Sequence, residues 1–125
     1  MPRRLDIHKI VGLLEKSSLV SKVEILLVDE MERRGFYKLR VILIPSKFKL
    51  DIKFIRTEQE FLYSYQLYAQ AAIVRWDNEP NYPDLENYPH HLHVGDTIVQ
   101  SPLLGNPEND FEKLFRFIPQ YLTEI

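Results

Sequence analysis

The chain has 125 residues, of which 45% are hydrophobic and 27% charged, and this composition is typical of one globular domain spanning residues 1–125. It has no cysteine, which excludes disulfides, thiolate zinc sites and a cysteine nucleophile. Its net charge of −2 means that a nucleic-acid partner would have to meet a local basic surface. We recognise neither a membrane-spanning apolar run nor a signal peptide, and therefore expect a cytoplasmic protein.

The elements can be predicted in chain order from hydrophobic spacing. A helix is predicted over residues 6–17, where Asp6 is a suitable N-cap and apolar residues recur at helical spacing. Runs of branched and aromatic residues then predict strands at 22–29, 36–44, 48–56, 60–68 and 72–77. A loop at 79–92 and a short edge strand at 93–100 follow, and Asn106-Pro107 marks the start of a C-terminal helix.

The connections between these strands are short, which favours antiparallel neighbours. We therefore predict an α+β fold: a mainly antiparallel sheet of five to six strands, with the N- and C-terminal helices packed on one face. Alternation along the strands places four basic side chains on the other face, namely Lys38, Arg40, Lys49 and Lys53. Such a surface is either an ordinary solvated face or a positively charged platform for phosphate groups.

The most unusual stretch combines the end of the fifth predicted strand with a histidine cluster. Alternation places Arg75 and Asp77 on one face of that strand and Trp76 on the other, where we expect it in the core. Three histidines follow within four residues, and two of them would project to one side of an extended chain about 7 Å apart. The candidate catalytic residues are Arg75, Asp77, His90, His91 and His93.

Three interpretations of this cluster are open on the residues alone. Imidazoles titrate near neutral pH and can serve as base and acid, while Arg75 binds a phosphate and Asp77 orients a histidine. Alternatively, His91 and His93 hold a divalent metal, with Asp77 or His90 as a further ligand. In the third interpretation the histidines only attach the loop to the domain by hydrogen bonds.

Three segments together resemble the TumE family, a group of small toxins of toxin–antitoxin pairs. They are Tyr63-Ser64-Tyr65, Arg75-Trp76-Asp77-Asn78-Glu79-Pro80, and Pro89-His90-His91-Leu92-His93-Val94. The family often has histidine directly after the Asn-x-Pro proline, whereas this chain has Asn81. The resemblance implies a growth-inhibiting protein that a cognate antitoxin neutralises.

Residues and resemblance together lead to one functional hypothesis, the cleavage of RNA, either free or on the ribosome. The histidines would supply the base and the acid, Arg75 would hold the phosphate, and no cofactor would be needed unless a divalent metal binds. The candidate substrate-binding residues are Lys38, Arg40, Lys49, Lys53, Tyr65 and Asn78.

There are two competing hypotheses. One is a metal-dependent hydrolase whose histidine cluster holds the metal, and the other is a non-enzymatic binding module, in which apolar and tyrosine-rich surfaces bind a partner protein or a second copy. An exposed edge strand at 94–100 would favour a homodimer through strand pairing.

Overall fold

The computed structural model describes residues 4–122, which form one antiparallel sheet and two α-helices. The elements are α1 (Ile7–Glu15), β1 (Val20–Glu30), β2 (Gly35–Leu43), β3 (Lys49–Arg56), β4 (Phe61–Tyr68), β5 (Ala72–Asp77), β6 (His91–Val94), β7 (Thr97–Gln100) and α2 (Pro107–Phe117), followed by a 3₁₀ turn (Ile118–Tyr121). The strands lie side by side in sequence order from β1 to β7, and every pair is antiparallel. The predicted α+β architecture is confirmed, but the described sheet has seven strands rather than five or six.

The additional strand comes from the C-terminal half of the sheet. The prediction of one edge strand at 93–100 was wrong, because β6 and β7 form a hairpin in which Val94 lies opposite Thr97. Two residues form the turn, and the first, Gly95, has a φ of 57°, a left-handed conformation that glycine adopts without steric cost. β6 also begins at His91, within the segment predicted as loop, so this histidine is fixed by the sheet.

Both helices begin at the predicted capping residues. The carboxylate of Asp6 accepts a hydrogen bond from the backbone N–H of Lys9 at 3.1 Å. The side chain of Asn106 accepts one from the N–H of Glu108 at 3.0 Å, and Pro107 is the first residue of α2. Within residues 4–122, neither helix has the length and apolar character needed to cross a membrane.

One face of the sheet, the covered face, packs against both helices. Its buried residues alternate along the strands and join the apolar residues of α1 and α2 in a single core; they include Leu39, Val41, Leu50, Ile52, Tyr65, Leu67, Trp76, Ile10, Leu14, Phe111 and Leu114. Trp76 is buried there, as predicted. The opposite face, which we call the open face, carries the side chains that alternate with these, including Lys53, Arg75 and Asp77.

Candidate functional site

The pairing of β5 with β6 brings four of the candidate catalytic residues together on the open face. Asp77 lies opposite His91, and Arg75 lies opposite His93 in the next pair of the same face. Directly opposite side chains in antiparallel strands are in contact distance, so the register alone makes these residues neighbours. We call Arg75, Asp77, His91 and His93 the open-face cluster.

Asp77 is the centre of this cluster. One of its carboxylate oxygens is 2.8 Å from His91 Nε2, and the other accepts a hydrogen bond from Arg75 Nε at 2.9 Å. The backbone N–H of Glu79 adds a third bond at 3.1 Å. The Asp77 side chain is only 6% exposed, and a carboxylate that is buried to this degree requires such partners.

His91 is held by both of its ring nitrogens. Nδ1 is 3.0 Å from the carbonyl oxygen of Pro89, which can only accept, so Nδ1 carries a hydrogen. Nε2 is 2.8 Å from a carboxylate oxygen of Asp77. The ring of Tyr82 packs edge-on against His91 with its centroid 4.8 Å away. His91 is therefore fixed and buried, and does not reach solvent.

His93 differs from His91 in its exposure and in its partners. Its Nε2 accepts a hydrogen bond from Arg75 Nη2 at 3.0 Å, which requires an unprotonated Nε2 because a guanidinium only donates. Burial, followed by the positive charge of Arg75, lowers the pKa of His93 below 6.5. Asp77 Oδ2 is 3.3 Å from the same nitrogen, so a protonated ring would bond to Asp77 instead. His93 is therefore a neutral imidazole between two alternative partners.

A cavity of about 120 Å³ adjoins the cluster on the open face. It is lined by Lys53, Ile55, Leu62, Tyr63, Ser64, Arg75, Asp77 and Glu79. Lys53, Ser64 and Asp77 follow one another across three adjacent strands in direct register. The cavity thus combines two cationic side chains with a hydroxyl group next to the buried carboxylate.

A family model described as "Toxin TumE" matches residues 10–125. The chain belongs to the TumE toxin family. Comparison with curated proteins and with solved structures found no match. Membership of this family implies a toxin that is paired with an antitoxin, as the resemblance of the sequence had indicated.

The four basic residues predicted on the open face of this TumE-family chain differ from one another in their neighbours. Arg40 forms two hydrogen bonds with Asp51, at 2.9 and 3.2 Å, and is thereby paired within the sheet. Lys53 lines the cavity next to Asp77, and Lys38 lies opposite Lys53 on the neighbouring strand. Lys49 lies opposite Tyr68 on β4. Gln66, two residues earlier on the same strand, lies opposite Arg75.

His90 is separate from the open-face cluster. Its Nδ1 is 2.8 Å from the hydroxyl of Tyr63, and the two rings stack with centroids 5.8 Å apart. Burial lowers the pKa of His90 and raises that of Tyr63, so the hydroxyl donates to a neutral imidazole. The negative charge of Asp110, a buried residue of α2, also acts on both groups. His90 thus attaches the loop to the covered face and has no contact with Asp77.

Two residues proposed as substrate contacts are buried. Tyr65 has no exposed surface and lies in the core of the covered face, so it does not reach a molecule on the open face. The side chain of Asn78 accepts a hydrogen bond from Tyr63 N at 2.8 Å and donates one to Phe61 O at 2.9 Å. Asn78 therefore fastens the end of β5 to β4, which fixes the position of Asp77.

The sequence interpretation missed two contributors to the site, Ser64 and Tyr82. Ser64 could have been found from strand register, because it is opposite Asp77. Strand register could not have revealed Tyr82, because this residue lies in the loop before β6 and reaches His91 only through the conformation of that loop. That loop is held by Asn87, whose side-chain amide donates to the carbonyl oxygens of Ser101 and Leu103 at 2.6 and 2.7 Å.

Asn81 occupies the position where the resemblance led us to expect histidine. It is exposed, and its side-chain amide donates to the carboxylate of Glu79 at 3.3 Å. Glu79 in turn lines the cavity beside Asp77. Among residues 4–122, the side chain of Asn81 forms its hydrogen bond with Glu79 and not with the open-face cluster.

Proposed function

We propose that this toxin arrests growth in the cytoplasm by cleaving RNA at the open-face cluster. The observation that carries the proposal is the contact between Arg75 and His93 Nε2 at 3.0 Å, next to a cavity that is open to solvent. The side chains of Arg75 and His93 are 42% and 21% exposed, whereas those of Asp77 and His91 are almost fully buried. Arg75 and His93 are therefore the two groups of the cluster that can touch a substrate.

The proposed reaction is attack of a ribose 2′-oxygen on the neighbouring phosphorus. Arg75 turns from the imidazole to a phosphate oxygen, where its fork neutralises developing charge, and this movement frees the lone pair of His93 Nε2. His93 then accepts the proton of the 2′-hydroxyl. A bond forms between O2′ and phosphorus, the bond from phosphorus to O5′ breaks, and O5′ takes a proton from water. The hydroxide that remains takes the proton from His93 and becomes water, which restores the neutral imidazole. The products are a 2′,3′-cyclic phosphate and a 5′-hydroxyl end.

The buried members of the cluster act through the exposed ones. Asp77 holds Arg75 by its Nε, so that Nη2 points at the imidazole. His91 fixes Asp77 from behind and is in turn fixed by the carbonyl of Pro89. Lys53, which lines the same cavity, attracts the neighbouring phosphates of the RNA.

A second candidate function is a metal-dependent hydrolase. The ligand atoms of Asp77, His91 and His93 lie within 4.8 Å of one another, and His91 donates its other nitrogen to a carbonyl, as metal-bound histidines usually do. Against this, Arg75 bonds to both Asp77 and His93 where a cation would have to bind. Metal content of protein purified without a histidine tag separates the two: one zinc or manganese per chain supports the hydrolase, and metal-free protein that still cleaves RNA removes it.

Growth of a bacterial host after controlled induction tests the main proposal. We expect arrest with the wild type and growth with His93→Ala at equal soluble expression. RNA from the arrested cells should carry new 2′,3′-cyclic phosphate ends. The matched control is His90→Ala, which removes an adjacent histidine outside the cluster and should still arrest growth.

Two outcomes would contradict this function. A folded His93→Ala protein that arrests growth as strongly as the wild type would show that the imidazole is not needed. Toxicity would then be explained by binding to a partner rather than by cleavage. Arrest that depends on His93 but leaves cellular RNA intact would mean that the substrate is not RNA.

A further inference from the structure

The outer strand β1 has an unusual surface. It is the longest strand, with eleven residues, and in the described part of the chain it pairs only with β2. Four consecutive aliphatic residues at its centre are between 42% and 47% exposed, namely Ile25, Leu26, Leu27 and Val28. A long apolar edge strand is a template for pairing with another chain.

The other outer strand, β7, is of a different kind. It has four residues, and Val99 is its one large apolar residue with substantial exposure. Pro102 follows it closely and cannot donate to a ladder. Our sequence-based expectation of pairing at residues 94–100 therefore has less support than pairing at β1.

A bulge at Leu26 makes the central segment of β1, residues 22–29, symmetric about its midpoint, whereas a second irregularity lies outside this segment, between Val20 and Lys22. Ile25 lies opposite Leu39 and Leu27 opposite Lys38, so Leu26 has no partner on β2 and the alternation of faces is inverted there. As a result, Val23 and Val28 both lie on the covered face. Lys22, Glu24, Leu27 and Asp29 lie on the open face, as their partners on β2 do.

Two charged residues of the strand, Lys22 and Asp29, are complementary under a two-fold rotation. Suppose that two copies of β1 pair antiparallel about a two-fold axis that is perpendicular to the sheet and passes between positions 25 and 26. Lys22 of each copy then lies opposite Asp29 of the other copy, on the same face of the sheet. Val23 lies opposite Val28, and Glu24 opposite Leu27. Within residues 4–122, the ion pair of Lys22 is a 3.9 Å contact with Glu24 on its own strand; both side chains are exposed, and such pairs are weak.

We propose that β1 is a homodimer interface in which two copies pair their β1 strands antiparallel, so that the two sheets become continuous. An isologous contact of this kind closes after two subunits and leaves no apolar edge for further addition. The open-face cluster lies on β5 and β6, and four strand spacings of ~4.8 Å put it about 19 Å from β1. The inference therefore does not depend on the proposed RNA cleavage.

Sedimentation equilibrium of the untagged full chain tests this interface. The wild type should sediment as a dimer of 14.9 kDa chains at micromolar concentration. Lys22→Asp and Asp29→Lys each place like charges opposite one another twice in the symmetric dimer, and each should weaken it about tenfold. Val99→Lys, on the other edge of the sheet, should leave the dimer unchanged.

Mixing the two charge variants gives the decisive result. Lys22→Asp pairs only with Asp29→Lys to form two attractive contacts, so the mixture should dimerise at a concentration at which each variant alone is monomeric. The double variant, in which the charges are exchanged, should also dimerise. A loss of folding would not be repaired by mixing, so this result is specific to the interface.

Three results would overturn the proposal. They are a monomeric wild type at all concentrations, a dimer that Val99→Lys disrupts, and a mixture that stays monomeric when the single variants do. If the wild type is monomeric and β1 amides become protected from hydrogen exchange when the antitoxin binds, then β1 is the surface that binds the antitoxin and not a dimer interface.

Discussion

Two neighbouring histidines, His90 and His91, have opposite environments in this molecule. His91 is the first residue of β6, and its ring points to the open face, where it meets Asp77. His90 precedes the strand and bonds to Tyr63, a core residue of the covered face. Both form strong hydrogen bonds, but only the cluster of His91 includes exposed groups next to a cavity.

The comparison teaches that histidine content alone does not define a site. The group of His90, Tyr63 and Asp110 contains an imidazole, a phenol and a carboxylate, which are residue types found in many active sites. The carboxylate of Asp110, however, accepts the backbone N–H groups of Leu104 and Gly105 at 2.9 and 2.7 Å. Its charge thus holds the chain before α2, whereas the charge of Asp77 orients Arg75.

The largest effect that distinguishes the two groups is expected from Asp77→Asn. This change removes a buried negative charge between Arg75 and His91, so it should lower the free energy of unfolding by about 3 kcal/mol and reduce RNA cleavage at least about 100-fold. Urea unfolding and cleavage of a labelled RNA at a temperature where the variant is folded measure the two effects. The control is Asp110→Asn, which should lower stability but leave cleavage per folded molecule within about threefold. Equal cleavage by Asp77→Asn and wild type would remove Asp77 from the site.

A smaller effect is expected from Tyr63→Phe on the covered face. The substitution removes the hydrogen bond to His90 and leaves the ring in place, so the free energy of unfolding should fall by about 1 kcal/mol. Toxicity should be unchanged, because the Tyr63 hydroxyl bonds to His90 rather than to the open-face cluster and the substitution keeps the ring beside the cavity. Thermal or urea unfolding beside a growth assay measures both. A non-toxic but folded Tyr63→Phe protein would mean that the covered-face group takes part in function.

The smallest effect concerns pH. Burial lowers the pKa of both His90 and His93 below 6.5, so the unfolded chain binds more protons than the folded one as pH falls through this range. The stability that the neutral rings contribute is therefore fully present above pH 6.5 and decreases as pH falls toward the lower folded pKa values. Urea unfolding between pH 7.5 and about pH 5 should show this loss, and His90→Gln should reduce its slope. A His90→Gln protein with an unchanged slope would contradict the assignment of a neutral buried His90.

Much of this arrangement followed from local sequence rules. Asp6 and Asn106 begin the two helices because their side chains accept backbone N–H groups that the first turn leaves unpaired. The period of two along β5 separates Arg75 and Asp77 from Trp76 without knowledge of the neighbouring strands. The family resemblance depends on residues 63–65, 75–80 and 89–94, and the family is confirmed over residues 10–125.

Only the tertiary structure decided which side chains meet. The sequence did not reveal that β6 begins at His91 and pairs with β5 in the register that joins Asp77 to His91. That register depends on the Gly95 turn and on the loop that Asn87 fastens to residues 101 and 103. Likewise, the bulge at Leu26 can be recognised only from the pairing of β1 with β2. Local propensities set the period of an element, but long-range hydrogen bonds set its first residue and its register, and a shift of one residue would turn every side chain of β6 to the other face.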